Sequence, residues 1–263
     1  MNLLSAVIIT WNEEKNIGRC LDSLNRVADE IILLDSFSND NTVAIAAQKG
    51  AEVVQSTFSG YIEQKNKALQ LARNDYVLSL DADEVLSPEL IESVLEAKKD
   101  FKYKAYFMNR YNHYCGRFIK YGLWYPDQKI RLFDKKLAHW GGMNPHDKIQ
   151  LPCDITASFL KGDILHYGFK NIREHKDRNE RMSAIAAQAI FESGQKKHWS
   201  KIFLSPAWSF FNGYILRLGF LDGYYGFVVA RETARRSFLK YQKLKALQKQ
   251  HSSMILYNYK DVE

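Results

Sequence analysis

The first hundred residues alternate short apolar runs with polar turns and helix-spaced stretches, and this alternation constrains the fold more than any other feature of the chain. Residues 3–10 (LLSAVIIT), 30–34, 51–55 and 76–80 are runs of strand length that suit burial on both faces. Helical patterns lie between them: Ile17, Cys20, Leu21 and Leu24 share one face, and residues 43–49 and 60–73 supply two more helices. Asn12 is the expected N-cap of the first helix, ahead of Glu13 and Glu14. Ser87 caps a fourth, with Pro88 at its first position and Leu90, Ile91, Val94 and Leu95 on one side. Strand–helix repetition of this kind predicts an α/β fold: a mostly parallel sheet with right-handed crossovers, flanked by helices.

Beyond residue 104 the pattern changes. Residues 104–112 turn towards alternation, as in AYFMNRYNHY, and residues 129–134 (KIRLFD) read as a short strand. The aromatic, Gly-rich segment between them suits either loops around an acceptor pocket or a patch of core. Residues 171–194 are helical, with Arg173, Lys176, Arg178 and Arg181 available to anions. Residues 201–230 are apolar and aromatic, but Pro206, Arg217, Asp222 and several glycines interrupt them, so no transmembrane helix is expected. The last helix, 231–249, is basic, with Phe238, Tyr241, Leu244 and Leu247 on one face. It suits a membrane surface or a helix packed on its own domain. The expected division is therefore a ligand-binding domain over residues 1–170 and a helical, basic, aromatic extension over 171–263.

Charge and cysteines narrow the partners. The chain has 263 residues and a net charge of +7, yet residues 195–250 hold 11 Lys or Arg against only Asp222 and Glu232. Attraction to anions is thus local to the tail. Cys20, Cys115 and Cys153 are far apart and form no metal-binding pattern, which fits a reduced, cytoplasmic setting. The start, MNLLSAVIITWNEE, reads as a first strand and not as a leader.

Three polar turns follow three strands: TWNEE at Thr10, DSFSNDNT at Asp35 and LDADE at Asp81. In a parallel sheet they converge on one edge, where a nucleotide can be read. No GxGxxG or GxxxxGK[ST] motif occurs, so the phosphates need another counter-charge. A divalent metal held by Asp81 and Asp83 supplies it and stabilises a leaving diphosphate.

These motifs, VIITWNEEKNI, DSFSNDNT, GYIEQKNKAL and LSLDADE, with the later YPDQKIRLF and GFLDGYYGF, resemble the inverting family 2 glycosyltransferases of GT-A (Rossmann-like) fold. Within them the resemblance is to the lipopolysaccharide inner-core β-1,4-glucosyltransferase group. It implies transfer of a hexose, glucose from UDP-glucose, to a heptose of the lipid A core, with Mg or Mn as cofactor, by a peripheral protein on the cytoplasmic face of the inner membrane. Thr10, Asn12 and Glu13 would line the nucleotide pocket, Asp35 and Ser36 would face the uracil, and Lys65 and Asn66 would close over it. Asp81 would contact ribose or sugar, and Asp83 would be the metal ligand. His166 is either a further metal ligand or a satisfied core residue, and Arg131 either meets a phosphate or makes a structural salt bridge. An inverting transfer needs a base, for which Asp147 is preferred, then Asp127, with Glu84 also a candidate. The group carries His-Glu where this chain has His146-Asp147. The alternatives are a transferase for another surface polysaccharide, a polyprenyl-phosphate sugar synthase, or a basic membrane or nucleic-acid adaptor. The last gives the acidic turns no purpose, so no nucleic-acid partner is expected.

Overall fold

A computed structural model describes residues 2–143, 146–194 and 200–260, without the side chains of Met143, His146 and residues 252–260. Asn144 and Pro145 of the GGMNPHDKI segment, and residues 195–199 of the basic stretch, lie outside the described residues. The chain divides into two units, one of Met1–His113 with Pro126–Gly168, the other of Tyr114–Tyr125 with Phe169–Glu263.

The first unit carries the strand–helix repetition. Strands β1 (Leu4–Thr10), β2 (Glu30–Asp35), β3 (Glu52–Gln55) and β4 (Tyr76–Asp81) alternate with helices α1 (Ile17–Leu24), α2 (Thr42–Gln48) and α3 (Tyr61–Leu71). They pair in the order β3-β2-β1-β4, all parallel. β1, β2 and β4 are apolar along their length because both faces are covered. One face packs on Ile17, Leu21 and Leu24 of α1, the other on Ala68 and Leu69 of α3. Helix α4 (Pro88–Lys98) starts as expected, the Ser87 hydroxyl accepting from Leu90 N at 3.2 Å.

The other half of the sheet is antiparallel. After β4 come β8 (Asp127–Asp134), β6 (Ala105–Tyr114), β11 (Ser158–Phe169) and the three-residue β5 (Glu84–Leu86). β4 and β6 both run antiparallel to β8, and β11 to β5. Strand β5 is too short to leave a periodic signal, so the sequence reading merged it with the acidic turn. Two further strands, β9 (His139–Met143) and β10 (His146–Gln150), form a separate hairpin.

One local expectation is corrected, and one pair of alternatives is decided. α1 begins at Ile17 with Asn16 at its N-cap, because Asn12 adopts a left-handed φ of 55° within the preceding turn. The apolar face of the last helix is covered by protein: in α7 (Gly223–Lys260), which packs on α5 (Ile172–Glu192), Leu244 is buried and Phe238, Tyr241 and Leu247 are half-buried. Lys243 donates to the Glu180 carbonyl at 2.7 Å across that contact.

The second unit is built on Tyr114, Ile119, Val228 and Val229, with Trp124, Phe169 and Tyr225 around them. It also contains a two-residue strand β7 (Arg117–Phe118) and helix α6 (Lys201–Phe211), followed by a π-helical turn and a 3-10 turn. The GFLDGYYGF motif is structural in this unit. Asp222 accepts from the backbone N–H groups of Lys120 and Tyr121 at 3.2 and 2.8 Å, and a Cβ on Gly226 would collide with the Gly219 carbonyl. Among the described residues no helix is long and apolar enough to cross a membrane.

Candidate active site at one edge of the sheet

The three polar turns meet where the sequence places them. Thr10 and Asp35 are register partners on β1 and β2, and Asp81 pairs with Ile9 on the other side of β1. The first two turns are laced together: Ser38 Oγ accepts from Asn12 N at 2.9 Å, Asn12 Oδ1 from Asn39 N at 2.9 Å, and Thr42 Oγ1 from Glu13 N at 2.8 Å. Asn16 donates to the Glu13 carboxylate. Asp35 is fully buried and caps its own turn, its carboxylate accepting from Ser38 and from Gln55 Nε2. Ser36 Oγ accepts from Gln64 Nε2 at 3.0 Å.

The third turn anchors a chain of paired charges. Lys65 Nζ lies 2.8 Å from Asp147 Oδ2 and 3.0 Å from Asp81 Oδ1. Arg131 takes the other Asp81 oxygen at 3.0 Å and Glu84 Oε1 at 2.8 Å, while Glu84 Oε2 accepts from Asp81 N. Arg110 continues from Glu84, at 3.6 Å, to Asp127 Oδ2, at 2.8 Å, and Lys129 takes Asp127 Oδ1 at 2.8 Å. Burial opposes the Asp81 charge, but Lys65 and Arg131 outweigh it and hold the carboxyl well below the usual range. Asp127 is held low in the same way by Arg110 and Lys129. The Arg131 pKa is lowered by burial but raised more by Glu84 and Asp81, so it stays charged.

The hairpin that carries Asp147 is fixed from beneath. Asn66 donates to the Trp140 carbonyl and accepts from its N–H, both at 2.9 Å, tying β9 to α3. Lys65 also lies 4.2 Å from the centroid of the Trp140 ring.

Asp83 is set apart from this chain. Its Oδ2 is 3.3 Å from His166 Nε2, an approach made by β5, because His166 on β11 is in register with Glu84. His166 Nδ1 lies 2.7 Å from Asn112 Oδ1. An amide oxygen only accepts, so Nδ1 donates to it and Nε2 is the ring nitrogen that faces the carboxylate. An imidazole nitrogen and a carboxylate oxygen placed this way, with the ring oriented by a second hydrogen bond, are a donor pair that fits a divalent metal. Two ligands on adjacent corners of an octahedral Mg2+ site lie about 3.0 Å apart, close to the observed separation. Among the described residues no group of three or more His, Cys, Asp and Glu gathers, so phosphate and water would complete the shell.

Sequence reasoning placed the acidic turns but missed the groups that hold them: Arg110, Trp140, Asn112 and Gly168. Arg110 lies in an alternating strand, where nothing in the spacing marks it. Gly168 had a signal, two residues after His166 on the same strand face. A Cβ there would come within 2.5 Å of the imidazole. Several buried polar atoms at this edge lack a partner among the described residues, namely Thr10 Oγ1, Gln64 Oε1, Arg131 Nε and Trp140 Nε1. Unsatisfied buried groups clustered at a strand edge mark a place for ligand or water.

Residues 5–151 match the sequence family described as Glycosyl transferase family 2. An uncharacterised glycosyltransferase of Rickettsia felis is 32% identical over 260 residues, which cover 93% of this chain and 90% of its own. The lipopolysaccharide core biosynthesis glycosyltransferase LpsC of Rhizobium meliloti is 28% identical, over 92% of this chain and 91% of its own. Among solved structures, glucosyl-3-phosphoglycerate synthase from Mycobacterium tuberculosis, in complex with Mn2+, UDP and glucosyl-3-phosphoglycerate, is 24% identical over 43% of this chain and 44% of its own, with a TM-score of 0.36.

Proposed function

The chain belongs to glycosyl transferase family 2, and from that membership we propose an inverting transferase that moves a hexose, glucose from UDP-glucose, onto a heptose of the lipopolysaccharide inner core. Likeness to LpsC over nearly the whole of both chains supports the lipopolysaccharide acceptor. The enzyme works peripherally at the cytoplasmic face of the inner membrane.

One observation carries the mechanistic reading. Of the three candidate bases, only Asp147 keeps an oxygen, Oδ1, without a partner among the described residues. Both oxygens of Asp127 are taken by Arg110 and Lys129, and both of Glu84 by Arg131 and the Asp81 amide. Asp147 therefore takes the proton of the acceptor hydroxyl as that oxygen attacks the anomeric carbon from the face opposite the diphosphate. A new C–O bond forms, the bond to the diphosphate oxygen breaks, and UDP leaves with the electron pair. Lys65 holds Asp147 and Asp81 in place together. Thr10, Asn12, Glu13, Asp35 and Ser36 bind the nucleoside, Asp81 and Arg131 fix the donor side, and Asn66 fixes the hairpin. Asp83 and His166 would hold a Mg or Mn ion, which neutralises the leaving diphosphate when bound.

The test is a transfer assay with a panel of UDP-sugars against truncated core lipid A and polyprenyl phosphate, with the product linkage read by NMR. Transfer of glucose to heptose with inverted anomeric configuration is the expected result. Turnover on polyprenyl phosphate alone would replace the acceptor, and retained configuration would remove the role given to Asp147.

A further inference from the structure

Along α6 and the two turns after it, the second unit exposes side chains that a protein in water normally buries. Phe203, Leu204 and Trp208 on α6 are 64%, 67% and 60% exposed, and Leu216, Leu221 and Tyr224 beyond them are 54%, 51% and 66% exposed. Ring contacts run within and between these elements. Rings step from Trp208 to Phe211 at 6.3 Å, and from Phe210 through Tyr214 to Phe227 at 5.2 and 5.8 Å, joining α6 to the start of α7. Apolar patches of this extent are rare on monomeric proteins and mark an interaction surface.

The charges of the same stretch choose the partner. Between Ser200 and Arg231 the basic side chains are Lys201 and Arg217, both exposed. The one acid, Asp222, is buried on the backbone of Lys120 and Tyr121. Cations with no exposed acid around an apolar, Trp- and Tyr-bearing face fit an anionic lipid surface, where rings sit at headgroup level. A two-fold dimer through the same patch would set these cations against their own copies. No described helix can span a bilayer, so contact through this face would be interfacial.

We propose that this face, Phe203 to Phe227, inserts into the headgroup and upper acyl region of an anionic membrane. It rests on the peripheral-membrane part of the proposed function, but it assigns the contact to α6 and the turns after it. The basic helix α7 already has its apolar face on α5.

The experiment is flotation of the full chain with vesicles of phosphatidylethanolamine and phosphatidylglycerol, wild type beside the triple variant Leu204→Ser, Trp208→Ser, Leu216→Ser. These positions are exposed, and an unchanged melting temperature verifies the fold. Removal of three inserted side chains lowers partitioning at least about 100-fold, while transfer to a water-soluble truncated acceptor is retained. A second variant, Lys201→Glu with Arg217→Glu, binds at least about tenfold more weakly at low salt. Undiminished flotation of the triple variant overturns the inference. So does a wild type that stays off the vesicles, or a dimer that the triple variant converts to monomer. Failure of transfer to every heptosylated acceptor, with flotation as expected, counts against the acceptor reading alone.

Discussion

Arg131 and His175 are equally buried, each 3% exposed, yet one is held charged and the other neutral. Arg131, in the first unit, has Glu84 and Asp81 at 2.8 and 3.0 Å, and their attraction exceeds the cost of burying it. His175, in the second, packs among Tyr114, Trp124 and Phe169, with the Tyr114 hydroxyl 3.0 Å from Nδ1. Burial drives its pKa down to about 4, aided by Arg178 and Arg236 and opposed by Glu232. Burial alone thus does not set protonation; the partner does. The active-site edge is a lattice of ions that hold one another, whereas the aromatic core of the second unit keeps His175 neutral.

The largest test of this difference is to remove the partner. Arg131→Met leaves the buried Glu84 and the half-buried Asp81 with less counter-charge, and a stability loss of about 3–5 kcal/mol is expected in urea denaturation. Arg131→Lys should recover part of it, because the ammonium keeps the charge but ends one bond short of Nη2, the nitrogen that meets both carboxylates. A loss below about 1 kcal/mol would mean that water, and not Arg131, screens these carboxylates.

The second test uses acid. His175 has a folded pKa near 4 against an ordinary 6.5, so its stabilising effect is complete above pH 6.5 and is lost as pH falls towards 4. That loss amounts to about 3 kcal/mol at most. Asp81 and Asp127 are also depressed, so their contribution holds above the ordinary Asp range and falls only in stronger acid. Urea midpoints measured from pH 7 to pH 4 should decline, and His175→Gln should flatten that decline without changing what happens below pH 4. An unchanged slope in His175→Gln would assign the decline to another group.

The same contrast explains what could be read from the sequence. The parallel half of the sheet was legible because apolar runs and helix spacing recur, and the acidic turns were legible because strands in such a sheet end together. The antiparallel half was less so: β5 spans only Glu84–Leu86, and its pairing with β11 is a long-range contact that leaves no local period. Without β5 the sequence offered the approach of His166 to Asp83 only as one of two alternatives, beside a satisfied core residue. Lys65 and Arg131 could be placed near the site by resemblance, but their bridging of pairs of carboxylates depends on α3, β4, β8 and β10 meeting. In the tail, helical spacing found Phe238, Tyr241, Leu244 and Leu247, but whether α5 or a membrane covers that face is decided by packing.

The third test separates two acids of the charged edge. Asp147→Asn should lower transfer at least about 100-fold with little change in UDP binding, as expected for a lost general base. Asp127→Asn, whose carboxylate is fully paired with Arg110 and Lys129, should cost less than about tenfold. Equal losses in the two variants would show that the ion lattice as a whole, and not an open carboxylate oxygen, is what the reaction needs.

The smallest effect is expected at a residue with no charge. Gly168 leaves the space that the His166 ring occupies, and a Cβ there would lie 2.5 Å from Cε1 and 2.8 Å from Nε2. Gly168→Ala must therefore turn the imidazole, which moves Nε2 away from Asp83 Oδ2 and strains the bond from Nδ1 to Asn112. Disturbing the orientation of a metal-binding imidazole weakens the metal about 10-fold or more. Calorimetry of Mn2+ binding in the presence of UDP should show that loss while the melting temperature falls little, since the network from Asp147 to Arg131 is untouched. His166→Ala should weaken Mn2+ at least as much and make a further Gly168→Ala change silent, because the alanine Cβ then meets no ring. If Gly168→Ala still weakened the metal in the His166→Ala background, the glycine would be acting on the backbone of β11 and not through the imidazole.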